Sequence, residues 1–153
     1  MTQNKLSGRT ISIIIIAGIA FVAIGAFIYV TSKNQVDEMS VRVYSDSMTE
    51  NVLNSIESDN YTTFLRGMDP TMKGAYTQAE FTKLHDFLHE KVGHYGTKTF
   101  VKVERSGNYI VAYYSAIYSK EPTGVTVKVV FSVNTGSEAL VFGLWFNSPM
   151  LAT

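Results

Sequence analysis

Hydrophobic and polar positions divide the chain into three regimes. The first is residues 11–31, ISIIIIAGIAFVAIGAFIYVT, which are apolar nearly throughout and carry no charge. Coiled as a helix at 1.5 Å per residue, this run spans about 30 Å, the depth of a bilayer's hydrocarbon core. A small domain has no room to bury a helix that is apolar on every face. The pattern therefore predicts a transmembrane helix over residues 11–31, a tail over residues 1–10 and a polar linker over residues 32–40. Helical spacing follows. Met48, Val52 and Ile56 recur with Leu53 beside them, predicting a helix over residues 41–58 that Asp59 and Asn60 end as turn formers. After a short apolar piece, residues 61–65, Asp69-Pro70 breaks the chain again. Thr77-Gln78-Ala79-Glu80 is a capping box, and Phe81, Leu84, Leu88 and Val92 make the stripe of the helix it opens. Gly93 is placed to end that helix in the left-handed conformation.

From Thr99 the period falls to two. Thr99, Val101 and Val103 alternate with Lys102 and Glu104, and Ser106-Gly107-Asn108 reads as a hairpin turn. A strand rich in tyrosine follows over residues 109–119, then a turn at Glu121-Pro122-Thr123-Gly124. Val125, Val127, Val129, Phe131 and Val133 face one way in the next strand, with Thr126, Lys128, Val130 and Ser132 opposite. Asn134-Thr135-Gly136-Ser137 turns into residues 139–146, whose apolar character on both faces predicts a central or doubly covered strand. Helices first and four meandering strands afterwards imply an α+β domain over residues 41–153, with an antiparallel sheet and helices on one face.

Charge orients the chain. Lys5 and Arg9 precede the apolar run, so the positive-inside rule places the N-terminus in the cytoplasm and the domain outside it. The run exceeds the 7–15 residues usual for a cleaved signal, and its exit, Phe27-Ile28-Tyr29-Val30-Thr31-Ser32-Lys33, lacks small residues at cleavage spacing. The expectation is a retained anchor in the cell membrane. The rest of the chain carries 11 basic and 13 acidic side chains, a net charge of −2, and no basic patch, which argues against nucleic acid as a partner. With no cysteine there is no disulfide, thiolate metal site or thiol nucleophile.

Several pieces, in order, carry a resemblance. They are Asn54-Ser55-Ile56-Glu57-Ser58-Asp59-Asn60-Tyr61-Thr62-Thr63-Phe64, Asp69-Pro70-Thr71-Met72-Lys73, Phe81, Gly93-His94-Tyr95-Gly96, Tyr113-Tyr114-Ser115-Ala116, residues 127–131, and Gly143-Leu144-Trp145-Phe146. Together they resemble a family of uncharacterised prokaryotic domains in the cystatin-like, nuclear-transport-factor-like superfamily. The resemblance implies a curved four-stranded sheet around a long helix, a cone that often holds an apolar pocket. It implies no catalytic residues, and a fold does not choose among the activities it hosts.

Candidate chemistry is sparse. His85 and His89, four apart, share a helix face, with His94 just beyond and Asp86 and Glu90 close in sequence. A metal centre needs at least three converging protein ligands, and the spacing supplies two; no metal and no cofactor are expected. Tyr109, Tyr113, Tyr114, Tyr118, Phe131, Phe142 and Trp145 all fall on predicted strands, where they either line a ligand pocket or fill the core. Asp69 is a helix-start signal before Pro70, and Glu104 alternates outward, so neither is assigned an acid–base role. No phosphate loop or nucleophile elbow is present. The sequence thus predicts a membrane-anchored, extracytoplasmic binding or interaction module without catalytic residues. Its expected ligand is a small apolar molecule or a partner protein, a second copy of the chain included. The alternative is a small enzyme using the cone pocket for general acid–base chemistry.

Overall fold

A computed structural model describes residues 36–132 and 138–152 of the protein. The predicted anchor, the tail, most of the linker, Val133 and the turn at residues 134–137 lie outside the described residues. Among the described residues, no helix is long and apolar enough to cross a membrane.

Helix α1 (Glu38–Glu57) begins inside the stretch expected to be linker, because Asp37 caps it: its carboxylate accepts the Met39 N–H at 3.2 Å and the Ser40 hydroxyl. The buried stripe runs through Val41, Ser45, Thr49, Val52, Leu53 and Ile56. Asp59, at φ 50°, breaks the helix, and the Asn60 side chain accepts from Thr63 N at 2.9 Å to cap a single turn, α2 (Tyr61–Phe64). Asp69 caps α3 (Pro70–Ala75) in the same way, with proline in the first turn where no N–H is needed. Thr77 caps α4 (Gln78–Lys91) by accepting the Glu80 N–H at 3.2 Å, while the Glu80 carboxylate accepts from Lys83 at 2.8 Å.

Four strands follow, β1 (Tyr95–Ser106), β2 (Tyr109–Tyr118), β3 (Glu121–Ser132) and β4 (Leu140–Asn147), paired antiparallel in the order β1-β2-β3-β4. One face of the sheet carries Phe100, Ile110, Ala112, Tyr114, Val125, Val127, Val129, Phe131, Leu144 and Phe146, which form one core with the helices. Phe64, Phe81, Leu84, Leu88, Val92 and Leu53 meet them from the helical layer, all essentially unexposed. The protein is an α+β domain of helices packed with a four-stranded antiparallel sheet, and the register expected for Val125, Val127, Val129 and Phe131 is the observed one.

The alternation of Thr99, Val101 and Val103 is interrupted by a bulge between Phe100 and Lys102, which leaves Val101 57% exposed while Phe100 packs on the core. Two further expectations need correction. Glu121-Pro122-Thr123-Gly124 is not a turn but the start of β3; the chain reverses at Ser119 and Lys120. The pairing skips from Ala116↔Val125 to Tyr118↔Glu121, so Pro122, Thr123 and Gly124 bulge opposite Ile117. That bulge tolerates a proline without an N–H and uses the φ of 102° that Gly124 adopts. The other concerns β4, which is an edge strand rather than a central one. Its free edge is covered by the chain before α3: Val141 N donates to Gly67 O at 2.7 Å and Asp69 N to Val141 O at 2.8 Å. That chain satisfies the backbone groups of the edge, while Phe142 and Trp145 on the outer face of β4 stay half-exposed.

Candidate functional site

The C-terminal ends of α1 and α4 converge on the start of β1, and a cluster of titratable side chains gathers there. Glu57, the last residue of α1, accepts from His89 Nε2 at 3.0 Å through Oε2 and from His94 Nδ1 at 2.8 Å through Oε1. The Tyr95 N–H donates to the same Oε2 at 2.8 Å. His85 closes the row. Its ring lies 4.1 Å from that of His89, its Nδ1 is 2.7 Å from Ile56 O, and the His89 and His94 rings are 4.7 Å apart. One turn-pair back along α1, Glu50 meets the Tyr95 hydroxyl at 3.1 Å and the largely buried Lys98 ammonium at 3.3 Å.

Local structure places each group. Val92 N and Gly93 N both donate to Leu88 O, and Gly93, at φ 84°, turns the chain from α4 into β1. A Cβ there would meet Ser119 Oγ at 2.2 Å and Lys120 N at 3.2 Å, so glycine alone fits. His94 is held on both sides of its peptide, its N–H donating to Ser119 Oγ and its carbonyl accepting from Ser119 N, each at 2.9 Å. Lys120 Nζ donates to His89 O at 3.2 Å and Glu90 O at 2.8 Å, closing the end of α4.

Partial burial pushes the Glu57 carboxyl upward, but hydrogen bonds from Tyr95 N, His94 and His89 outweigh it and hold the group below its ordinary value. A depressed carboxyl adds stability above its unfolded value near pH 4.5, and that contribution is lost as pH falls through the folded value. Of the sequence candidates, His85, His89 and His94 are brought together, whereas Asp86 and Glu90 stay solvent-exposed. Asp69 is spent on capping α3. Glu57 is the member the sequence reading missed. The one signal for it is that Glu50 and Glu57 stand seven apart on one helix face.

The seven aromatics are split between the two faces of the sheet. Tyr114, Tyr118 and Phe131 are buried on the helix-facing side. Burial pushes the Tyr114 phenol up to about 12, and its hydroxyl donates to Ser45 Oγ at 2.9 Å. Between α4 and β4, at Leu84, Leu88, Leu144 and Phe146, the free volume is only about 10 Å³, space for one water at most. Tyr109, Tyr113, Phe142 and Trp145 lie half-buried on the opposite side. There Lys128, paired across β3 with both Tyr113 and Trp145, sets its ammonium 4.8 Å from the Trp145 ring centre. Lys102 lies 4.7 Å over Tyr113 and is ion-paired to Glu104 at 2.5 Å; Phe142 packs on Tyr109 at 4.7 Å. Gly143 makes room for the indole, which sits where its Cβ would be, at 2.3 Å.

This α+β domain, with its histidine–carboxylate corner and its aromatic outer face, matches a known family. Residues 49–136 fit the family described as protein of unknown function (DUF3887), and with more than half of its length matched the chain belongs to that family. The matched stretch takes in Glu57, the three histidines, Lys128 and Tyr113. No curated protein and no solved structure matches the chain.

Proposed function

We propose that the protein is a single-pass membrane protein whose domain lies outside the cytoplasm and works as a non-enzymatic interaction module. Its contact surface is the outer face of the sheet, and its occupant is an extended segment of a partner protein carrying a carboxylate beside apolar side chains. The observation that carries this reading is the patch of Tyr109, Tyr113, Phe142 and Trp145 around Lys128. Half-exposed aromatic rings supply apolar area at low cost in side-chain entropy. Among the described residues Lys128 forms no direct ion pair, while its neighbour Lys102 pairs with Glu104. Lys102 and Lys128 share the single carboxylate of Glu104, and an incoming carboxylate complements the excess positive charge. The filled interior near β4 favours a partner at the surface over a small molecule inside the sheet–helix layer. Cystatin-like membership is part of the same proposal; a 20-residue helix lying against an antiparallel meander supports it.

Topology is checked by adding protease to intact cells or protoplasts. The expected result is digestion of the domain with the N-terminal tail protected, since Lys5 and Arg9 hold the tail inside. A domain that stays protected until the membrane is opened overturns the orientation. The contact surface is checked by photo-cross-linking of the full-length chain in its own membrane. A photoreactive residue at Tyr113 is expected to give a discrete protein adduct, absent with the probe at Lys83 on α4 and lost on Lys128→Glu. No adduct at Tyr113, or one indifferent to that charge reversal, rejects this surface.

A further inference from the structure

We infer that Glu57, His89 and His94 are the three protein ligands of a zinc ion whose fourth position faces solvent. The site is independent of the outer sheet face, so neither reading stands or falls with the other.

The donor set comes first. Two imidazoles and a carboxylate with one open position form a ligand set that zinc accepts. One donor atom from each residue lies within 4.8 Å of the other two. A tetrahedral ion with bonds of about 2.0–2.1 Å separates its donors by roughly 3.3 Å. His89 Nε2 lies 3.0 Å from Glu57 Oε2 and His94 Nδ1 lies 2.8 Å from Oε1, so the imidazoles flank the two oxygens of one carboxylate, and a turn of that carboxylate with a small shift of the rings brings one oxygen and both nitrogens to that spacing. The ion takes the place of the two shared hydrogens. Each imidazole then coordinates through the nitrogen now facing Glu57, in the tautomer that carries its hydrogen on the other nitrogen.

The supporting shell is already built, as metal ligands require. The Tyr95 N–H fixes the Glu57 carboxylate, and His85, tied to Ile56 O, lies against the His89 ring. The backbone of His94 is clamped by Ser119. Electrostatics point the same way. Glu57 sits at the negative end of α1, whose last turn contains no basic residue, and the C-terminal end of α4 approaches the same place. A carboxylate at such a pole gains from a cation. Of the lysines beside this corner, Lys120 gives its ammonium to the α4 carbonyls and Lys91 pairs with Glu90 at 3.8 Å. Access completes the case: the His94 side chain is 72% exposed and those of Glu57 and His89 are 27% and 22% exposed, which leaves one side open to water.

The test uses the full-length chain, purified in detergent without a histidine tag, stripped with chelator and titrated with cobalt(II). The expected result is an intense tetrahedral visible absorption that saturates at one equivalent and is displaced by zinc. His94→Ala and Glu57→Gln are expected to weaken cobalt binding by about 100-fold or more while keeping parental circular dichroism. Asp86→Asn and Glu90→Gln, which alter neighbouring exposed carboxylates, should bind as the parent does. His94 is the decisive position because its exposed side chain is dispensable for packing. The inference is overturned by the absence of a saturating tetrahedral band, or by a band that survives His94→Ala.

Discussion

Val129→Asp is expected to abolish cooperative unfolding of the domain, whereas Lys128→Asp, one residue away, leaves a folded protein. Val129 is 0% exposed and pairs with Ala112 on one side and Leu144 on the other, in the centre of the helix-facing side of the sheet. The core around it is built of apolar side chains, which offer an introduced carboxylate no hydrogen bond. Burying an unpaired carboxylate costs several kcal/mol, a large part of the roughly 5–15 kcal/mol that stabilises a domain of this size. The Lys128 side chain leaves the strand on the other face and rests on Trp145. Replacing it removes a cation–π contact worth about 0.5–1 kcal/mol at a half-exposed site. Thermal melts followed by far-ultraviolet circular dichroism on the full chain in micelles compare the two. Similar curves would mean that the inward face of β3 is assigned to the wrong residues, since a slip of one position exchanges the faces.

Phe64→Ala is the second large effect, with an expected loss of about 3–5 kcal/mol. Phe64 is 0% exposed and packs its ring 4.8 Å from Phe81 and 5.2 Å from Tyr76. It belongs to a helix of 4 residues, too short to persist without such packing. The damage should spread along a definite path. The chain leaving α2 supplies Gly67 O and Asp69 N to the edge of β4, so loosening that chain exposes the ladder it covers. A fall in melting temperature of well over 10 °C is expected, together with faster amide exchange at Val141 than at Val127. A drop of only a few degrees would show that the aromatic cluster closes over the missing ring and that α2 contributes little to stability.

Much of the architecture could be read from short windows because its causes are local. Thr77 announces α4 through an oxygen that reaches an amide three residues on. Gly93 ends that helix because only a residue without a Cβ is comfortable at its φ. Valine alternation sets the face of β3 because successive side chains of a strand must point opposite ways. Where local cues pointed to the wrong outcome, a distant contact had won. Pro122 and Gly124 carry the composition of a turn, but pairing with β2 draws them into a strand as a bulge. The residues of β4 have the apolar character of a central strand, yet β4 is an edge strand, bonded along its edge by the chain before α3 and half-exposed at Phe142 and Trp145.

The sequence by itself determined the two longer helices and the four strands in their order, the capping of α4, the inward side of β3 and the grouping of His85 with His89 on one helix face; the short α2, α3 and the last turn at Pro149–Ala152 it did not. Periods of 2.0 and 3.6 residues and single capping atoms act within a few positions of one another. Only the tertiary structure decided that Glu57 meets His89 and His94, partners 32 and 37 residues away. It alone also parted the seven strand aromatics into a buried set and a half-exposed one. Such meetings depend on where α1 comes to rest against α4 and β1, and that is settled by burial of the whole apolar core, which no short stretch of the chain encodes.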